Sequence, residues 1–421
     1  MDNILSIKYE KFVLQNGLEV ILYQTKSFPT VAINIWYKVG SANEKPNKTG
    51  FAHLFEHMMF QGSQNVDKEM HFKYIQEAGG TLNGSTSMDR TNYYQSLPSD
   101  SLELALWLES DRMGFLLLAL TLEKLENQKD VVMNERRQNY DNQPYGLAWE
   151  ILFSNLFPSN HPYHWPTIGW MKDIEKFEID DVKKFFSDYY SPNNASLAIG
   201  GNFDKSEAKL LVEKYFASIK NGNKIDDIKT NKIVLDNTKK IIHKDDVQLP
   251  RLYFAWHSEK GYGKDDAALD MVADILAGSK NGKLHKKLVH DLQIAQDVSA
   301  FQYSAKYNGV FFIIVSLKQN SNNLEVIETV HSVIEELIDK GIEQKDFMRA
   351  INSYKSSFIY SLQNLDTMVN QINNYNCSLG EPNSFLFDIE RYNKLTPDNL
   401  LIVLDKYLTK NHVELIIAPK D

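Results

Sequence analysis

The sequence predicts an α+β protein of two similar domains arising from an internal duplication, each a mainly antiparallel sheet packed with helices. Three observations carry this expectation. Apolar strands open the chain, helical patterns fill residues 100–150, and after a polar stretch near the middle strands and helices recur in a similar order.

The elements follow in turn. FVLQNGLEVILYQ (12–24) places apolar runs around Asn16-Gly17, a pair that accepts φ > 0 and therefore signals a hairpin. TVAINIWYKVG (30–40) alternates Val31, Ile33, Ile35 and Tyr37 against other residues and stops at Gly40. A helix begins near Gly50 and carries FAHLFEHMMF. A second, near 67–78, stops at Gly79-Gly80, and an extended segment, TLNGSTSMDRTNYYQSLP, follows it. SLELALWLESDRMGFLLLAL and LEKLENQKDVVMNERRQ read as helices. The polar residues 221–238 read as a linker between a domain at 1–220 and a second at 239–421. Beyond it come a strand (RLYFAWH), a helix (DDAALDMVADILAGS), another helix (GKLHKKLVHDL) and strands (VFFIIVSL). Matching Gly62-Ser63 with Gly278-Ser279 sets an offset of 216, which puts Tyr94 on Val310.

Bulk properties narrow the function. The chain has 421 residues, 43% hydrophobic and 24% charged, an ordinary globular balance too long for one small core. A net charge of -9 with no Lys/Arg-rich arm argues against a nucleic-acid partner. Cys377 is the only cysteine, which excludes an intrachain disulfide and a cysteine-based zinc site; it is read as structural, not as a nucleophile. No apolar run approaches the roughly 18 residues of a membrane span, so no membrane partner is expected. The opening residues carry no signal-peptide pattern, and the expected compartment is the cytoplasm, or the periplasm if a leader has been removed.

The chemistry is concentrated in His53-Leu54-Phe55-Glu56-His57. At about 100° per residue the two histidines lie about 40° apart around a helix, and Glu56 lies about 60° to the other side of His53. Two imidazoles at this spacing supply two of the three protein ligands of a catalytic zinc, and the glutamate beside them can take a proton from the water in the open position. HxxEH is the inverse of HExxH and is associated with inverzincins. At a chance frequency of roughly one chain in fifty, the motif alone is only suggestive, so a third ligand matters. Glu135 is the candidate, 78 positions after His57 on an expected helix. A single glutamate on a helix is as a rule solvated. Here Val131, Val132 and Met133 suggest a helix largely inside the protein, where a carboxylate needs a partner such as zinc.

NGLEVIL (16–22), GFAHLFEHMMFQGS (50–63), GGTLNGSTSMDRTNYYQSLP (79–98), DVVMNERRQNYDNQPYG (130–146), HPYHWPTIG (161–169) and YYSPNNASLAIGGNFD (189–204) resemble one peptidase family. It is that of pitrilysin, insulinase and mitochondrial processing peptidase, in its bacterial two-domain branch. The resemblance implies that His53, His57 and Glu135 bind one zinc per chain and that Glu56 is the general base. It implies a zinc metalloendopeptidase acting on peptides or unfolded segments in an enclosed chamber, the two domains forming half of a clamshell. Asn83, Gly84, Ser85 and Thr86 match a sheet edge that pairs with the substrate backbone, which is β-augmentation. A non-catalytic scaffold subunit with the same fold is the alternative.

The chain departs from the family in two respects. Gln128 stands where many relatives have a glutamate supporting the metal site; Gln can still bond an imidazole, and Glu126 or Asp130 are nearby charges. An Arg/Tyr pair that holds the substrate carbonyl in self-sufficient relatives falls on Val289 and Gln296. Either that alignment is shifted, or a homologous partner subunit supplies the pair, as in a heterodimer; a homodimer is the other assembly considered. At the 216 offset His53, Glu56 and His57 fall on Leu269, Val272 and Ala273, so the second half keeps the helix without the chemistry. His161 and His164 read as surface-loop residues. His243, His257, His285, His290, His331 and His412 show no ligand spacing.

Overall fold

The structure, a computed structural model, describes residues 5–420. They pack as two compact units. The first runs to Arg136 and includes Trp165–Ile228 and Phe358–Phe387; the second takes Arg137–His164, Lys229–Ser357 and the residues from Asp388 on. Residues 221–235, in the expected linker, form neither helix nor strand. Among the described residues no helix is long and apolar enough to cross a membrane.

Six strands make the first sheet: β1 (Glu10–Val13), β2 (Glu19–Gln24), β3 (Thr30–Tyr37), β4 (Thr81–Thr86), β5 (Thr91–Pro98) and β6 (Ala195–Gly201), in the order β1-β2-β6-β3-β5-β4. All neighbours are antiparallel except β2 and β6. The Asn16-Gly17 pair does turn a hairpin, with Gly17 at φ 89°, but in a longer loop than two residues. The Asn16 amide closes that loop by donating to the carbonyls of Phe216 (2.8 Å) and Ile219 (2.9 Å).

One face of this sheet is tied to the helix Leu365–Leu379 by asparagines at three-residue spacing, which a helix places along one side. Asn370 Oδ1 accepts from Trp36 Nε1 and Asn92 Nδ2, both at 3.2 Å. Asn373 donates to the carbonyls of Asn34 (2.9 Å) and Ser196 (3.0 Å), and Asn376 donates to Glu19 (2.8 Å) and to the Ser196 hydroxyl (2.9 Å). Lys38 also pairs with Glu19 at 2.8 Å, so the half-buried carboxylate under this helix is paired.

The second sheet consists of β7 (Lys239–Asp245), β8 (Arg251–Ser258), β9 (Ala295–Ser304), β10 (Gly309–Leu317) and β11 (Val413–Pro419), in the order β7-β11-β8-β10-β9. Only β7 and β11 are parallel. Its order and strand senses repeat those of β2-β6-β3-β5-β4, which makes the expected duplication explicit and leaves β1 as an addition. Leu252, Phe254 and Trp256 of β8 join a core with the helices Asp266–Ala277, Asn323–Lys340 and Pro397–Leu408. Leu269, Val272 and Ala273 are buried in that core. In the first unit the matching positions carry the polar motif; here they are packing residues. Phe312 points to the opposite face, where Trp149 (4.8 Å) and Phe153 (6.1 Å) of the helix Ala148–Leu156 cover it.

One local expectation is refined and one corrected. The helix expected after 280 forms, with π-helical hydrogen bonding over His285–Asp291. His161 is not a surface residue: it is buried, stacks on Phe157 at 4.6 Å and accepts from the Tyr163 amide at 3.1 Å. Burial holds its pKa down to about 4, so it packs as a neutral ring.

Replacing Asn373 by Ala strips donors from two buried carbonyls. The expected cost is about 1–3 kcal/mol, read as a lower urea midpoint by circular dichroism, and an unchanged midpoint would contradict this role.

Candidate metal centre

The helix Phe51–Met58 is defined by what holds its two ends and its back. Gly50, its N-cap, adopts φ 100°, and a Cβ there would lie 2.8 Å from the Ile168 carbonyl oxygen, so glycine is required twice over. The orphan amides of Gly50 and Ala52 donate to the two carboxylate oxygens of Glu44, each at 2.8 Å. Burial pushes Glu44 up to about 8 against the pull of these amides. Thr49 is fixed next door by Asp173, to which its hydroxyl donates at 2.8 Å. On the back face Phe51 stacks on Phe177 at 3.8 Å, and Phe55 packs on Phe185 (5.5 Å) and Tyr190 (5.1 Å). The Tyr93 hydroxyl bonds the Phe55 carbonyl at 3.2 Å. With its back committed to aromatics, the helix has one face left for His53, Glu56 and His57.

The structure brings His53, His57 and Glu135 together. His57 Nε2 lies 3.2 Å and His53 Nε2 3.7 Å from Glu135 Oε2, the two imidazole centroids are 4.8 Å apart, and all three ligand atoms fall within 4.8 Å of one another. Donors about 2.0–2.1 Å from a tetrahedral zinc lie about 3.3 Å from each other, so the arrangement fits such an ion after small shifts. Burial, then the neighbouring His57, lowers His53 to about 4 against the attraction of Glu135, which keeps it in the neutral, ligating form near neutral pH. His53 Nδ1 is buried and has no hydrogen-bond partner among the described residues.

Glu135 stands on the helix Leu122–Arg136, whose buried stripe is Leu125, Gln128, Lys129, Val132 and Arg136. The sequence suggested a helix largely inside the protein. Instead it is half-buried: Val131 is 40% exposed and the Glu135 side chain 32%. The next residue anchors it, since Arg136 donates to the Gly169 carbonyl at 2.9 Å. Gln128 is buried two turns earlier, and no hydrogen bond joins it to either imidazole. Glu126 is paired with Lys129 at 3.0 Å, and Asp130 is exposed.

Glu56 is braced by the sheet edge. The Thr86 hydroxyl donates to Glu56 Oε2 at 2.6 Å, and burial raises the carboxyl above its ordinary range against Thr86 and His57. A Cβ on Gly84 would lie 3.0 Å from Glu56 Cγ and 3.2 Å from the Tyr93 ring, so the backbone approaches closely only because position 84 has no side chain. Both residues are on β4, which pairs with β5 on one side and ends the sheet on the other. Asn83 and Ser85 complete this edge; Asn83 Oδ1 accepts from the Gly84 amide (2.8 Å), and Arg90 braces the Ser85 carbonyl (2.8 Å). An open cleft along it is lined by Leu82, Asn83, Tyr94, Gln95 and Asp366. In the second unit, Val289 packs half-buried against the core and Gln296 is exposed on β9. Burial pushes the Cys377 thiol up to about 12, unlike an activated nucleophile.

Sequence reasoning did not find Glu44, whose role depends on a fold that returns it to a helix start. Nor did it find that His331 and His412 converge on Glu414.

Fold and site define a two-unit α+β protein with unequal halves, the first carrying the polar helix and the second its apolar counterpart. Residues 19–162 match the family described as insulinase (peptidase family M16), and residues 176–354 match the peptidase M16 inactive domain. The chain is 29% identical over 363 residues to the zinc protease PqqE of Helicobacter pylori, covering 85% of this chain and 80% of that protein. It is 22% identical over 411 residues to YmxG of Bacillus subtilis, described as an uncharacterized zinc protease, covering 97% and 98%. A crystal structure of a protease from Helicobacter pylori superposes with a TM-score of 0.91 at 27% identity, covering 98% of this chain and all of that one. The chain belongs to peptidase family M16.

Glu44 yields a pH prediction. Its pKa is near 8 folded and near 4.5 unfolded, so the stability it contributes is present below pH 4.5 and lost as pH rises through 8. Melting temperatures measured across that window should fall less steeply for Glu44→Gln than for the wild-type chain; parallel slopes would contradict the assignment.

Proposed function

We propose that this chain is the zinc-bearing subunit of a metalloendopeptidase that cleaves extended peptides or unfolded segments, with His53, His57 and Glu135 as ligands and Glu56 as general base. The observation that carries this reading is the convergence of two imidazoles and a carboxylate from separate helices beside a second, half-buried carboxylate. Bound in such a set, zinc supplies Lewis acidity and lowers the pKa of water toward about 7.

The chain's own groups do the rest. Thr86 holds Glu56 Oε2, which leaves Oε1 to take the proton of the attacking water and then return it to the leaving amide nitrogen. The raised pKa of Glu56 suits it to both directions of transfer near neutral pH. The β4 edge at Asn83, Gly84, Ser85 and Thr86 offers main-chain groups to an extended substrate, which favours unfolded segments with little demand on their sequence. Val289 and Gln296 bring neither a positive charge nor a phenolic hydroxyl to the substrate carbonyl. A homologous partner subunit carrying an Arg/Tyr pair meets that need, and lacking such donors costs a factor of about a hundred or more.

Hydrolysis of a quenched fluorescent peptide tests these assignments. Glu56→Gln should keep the wild-type zinc content and lose about 10²–10⁴-fold in turnover. His53→Ala should hold one equivalent of zinc fewer than wild type. A Glu56→Gln chain with near wild-type turnover would remove Glu56 from the mechanism. Adding a homologous subunit that bears the Arg/Tyr pair should raise the rate about a hundredfold; a fully active homodimer of this chain alone would exclude that partner.

A further inference from the structure

The second unit contains another group of metal-binding side chains, away from the polar helix. His412 immediately precedes β11 and Glu414 lies within it, so their spacing of two puts both on one face of the sheet. His331 reaches the same point from the helix Asn323–Lys340. Its Nε2 is 3.5 Å from Glu414 Oε1, His412 Nε2 is 3.2 Å from that same oxygen, and the three ligand atoms all lie within 4.8 Å of one another. Aromatic residues of β8 fix both rings: His412 stacks on Trp256 at 4.5 Å, and His331 meets Phe254 edge-on at 5.8 Å. His412 and Glu414 are each 5% exposed, whereas the His331 side chain is 32% exposed and opens the cluster to solvent.

Proton accounting makes the cluster unusual. His412 Nδ1 faces the Lys410 carbonyl oxygen at 3.1 Å, an atom that only accepts, so Nδ1 carries the proton. In a neutral ring Nε2 then has only a lone pair, yet it faces a carboxylate oxygen. Either a cation or a single proton must therefore lie between the ring nitrogen and the carboxylate oxygen. Glu414 Oε2 is also buried without a hydrogen bond; the nearest charge is Lys240 Nζ at 3.6 Å, on a side chain 70% exposed.

We infer that His331, His412 and Glu414 form a second metal site, for a divalent late transition ion of zinc's class. Two imidazoles and one carboxylate suit zinc, cobalt or nickel; calcium and magnesium favour all-oxygen shells. Among the described residues, no further His, Cys, Asp or Glu joins the three. With His412 and Glu414 buried, the site reads as structural. It clips the helix Asn323–Lys340 to β11, joining parts of the second unit 83 positions apart in sequence. It does not depend on the first centre being a zinc site.

The test uses the untagged full chain with His53→Ala and His57→Ala, which removes the first centre, dialysed against ZnCl2 and then against metal-free buffer. About one zinc per chain should remain by atomic emission, and CoCl2 in its place should give a visible d–d band. Adding His331→Ala, a partly exposed substitution whose fold is checked by circular dichroism, should weaken zinc binding at least about tenfold and remove the zinc-dependent rise in melting temperature. A double variant that retains no zinc would overturn the inference. Equal zinc affinity with and without His331 would overturn it too.

Discussion

The structure depends on one constraint: two imidazoles and a carboxylate must share a face of an eight-residue helix while the rest of that helix is buried. Such a helix is too short to hold itself together, so tertiary contacts must fix it. Glu44 occupies its first amides, Phe177, Phe185 and Tyr190 take its back, and Tyr93 bonds a carbonyl in its middle. The side chains on the remaining face therefore have little choice of direction. Glu56 is further confined by Thr86 and by the close backbone at Gly84. The sheet edge that would receive an extended chain is thus also the edge that orients the glutamate beside it.

Duplication explains why the fold is larger than this site demands. Both sheets follow one strand order, but the helix after β3 carries the polar motif whereas its counterpart after β8 is apolar, with Leu269, Val272 and Ala273 filling the core. Relieved of one chemistry, the second unit has a different polar cluster, on β11 and the helix Asn323–Lys340. Each sheet also receives a helix from far along the chain. Asparagines of Leu365–Leu379 bond the first sheet through polar side chains and carbonyls of one face, and Trp149 and Phe153 cover the second.

What was legible in the sequence was local. The Asn16-Gly17 hairpin, the alternation at 30–40, the helix bearing HLFEH and its neighbour ending before Gly79-Gly80 all follow from periodicity and turn chemistry. The duplication was legible through element order. Burial was harder to read. Val131 to Met133 looked interior, but only Val132 of the three is buried, because a helix face and not a run of apolar residues meets the core. His161 looked like a loop residue because nothing local announces a stacked aromatic neighbour. His331 and Glu414 meet across 83 positions, and no spacing rule reaches that far. Nor does a helix's own pattern say which sheet it will cover.

The central claim is that a metal is held where His53, His57 and Glu135 converge. Diffraction data collected on either side of the zinc absorption edge, from crystals of the unsubstituted chain, test it most directly. An anomalous peak is expected about 2.0–2.2 Å from His53 Nε2, His57 Nε2 and a Glu135 oxygen. A zinc-containing crystal with no anomalous peak at that point would contradict it.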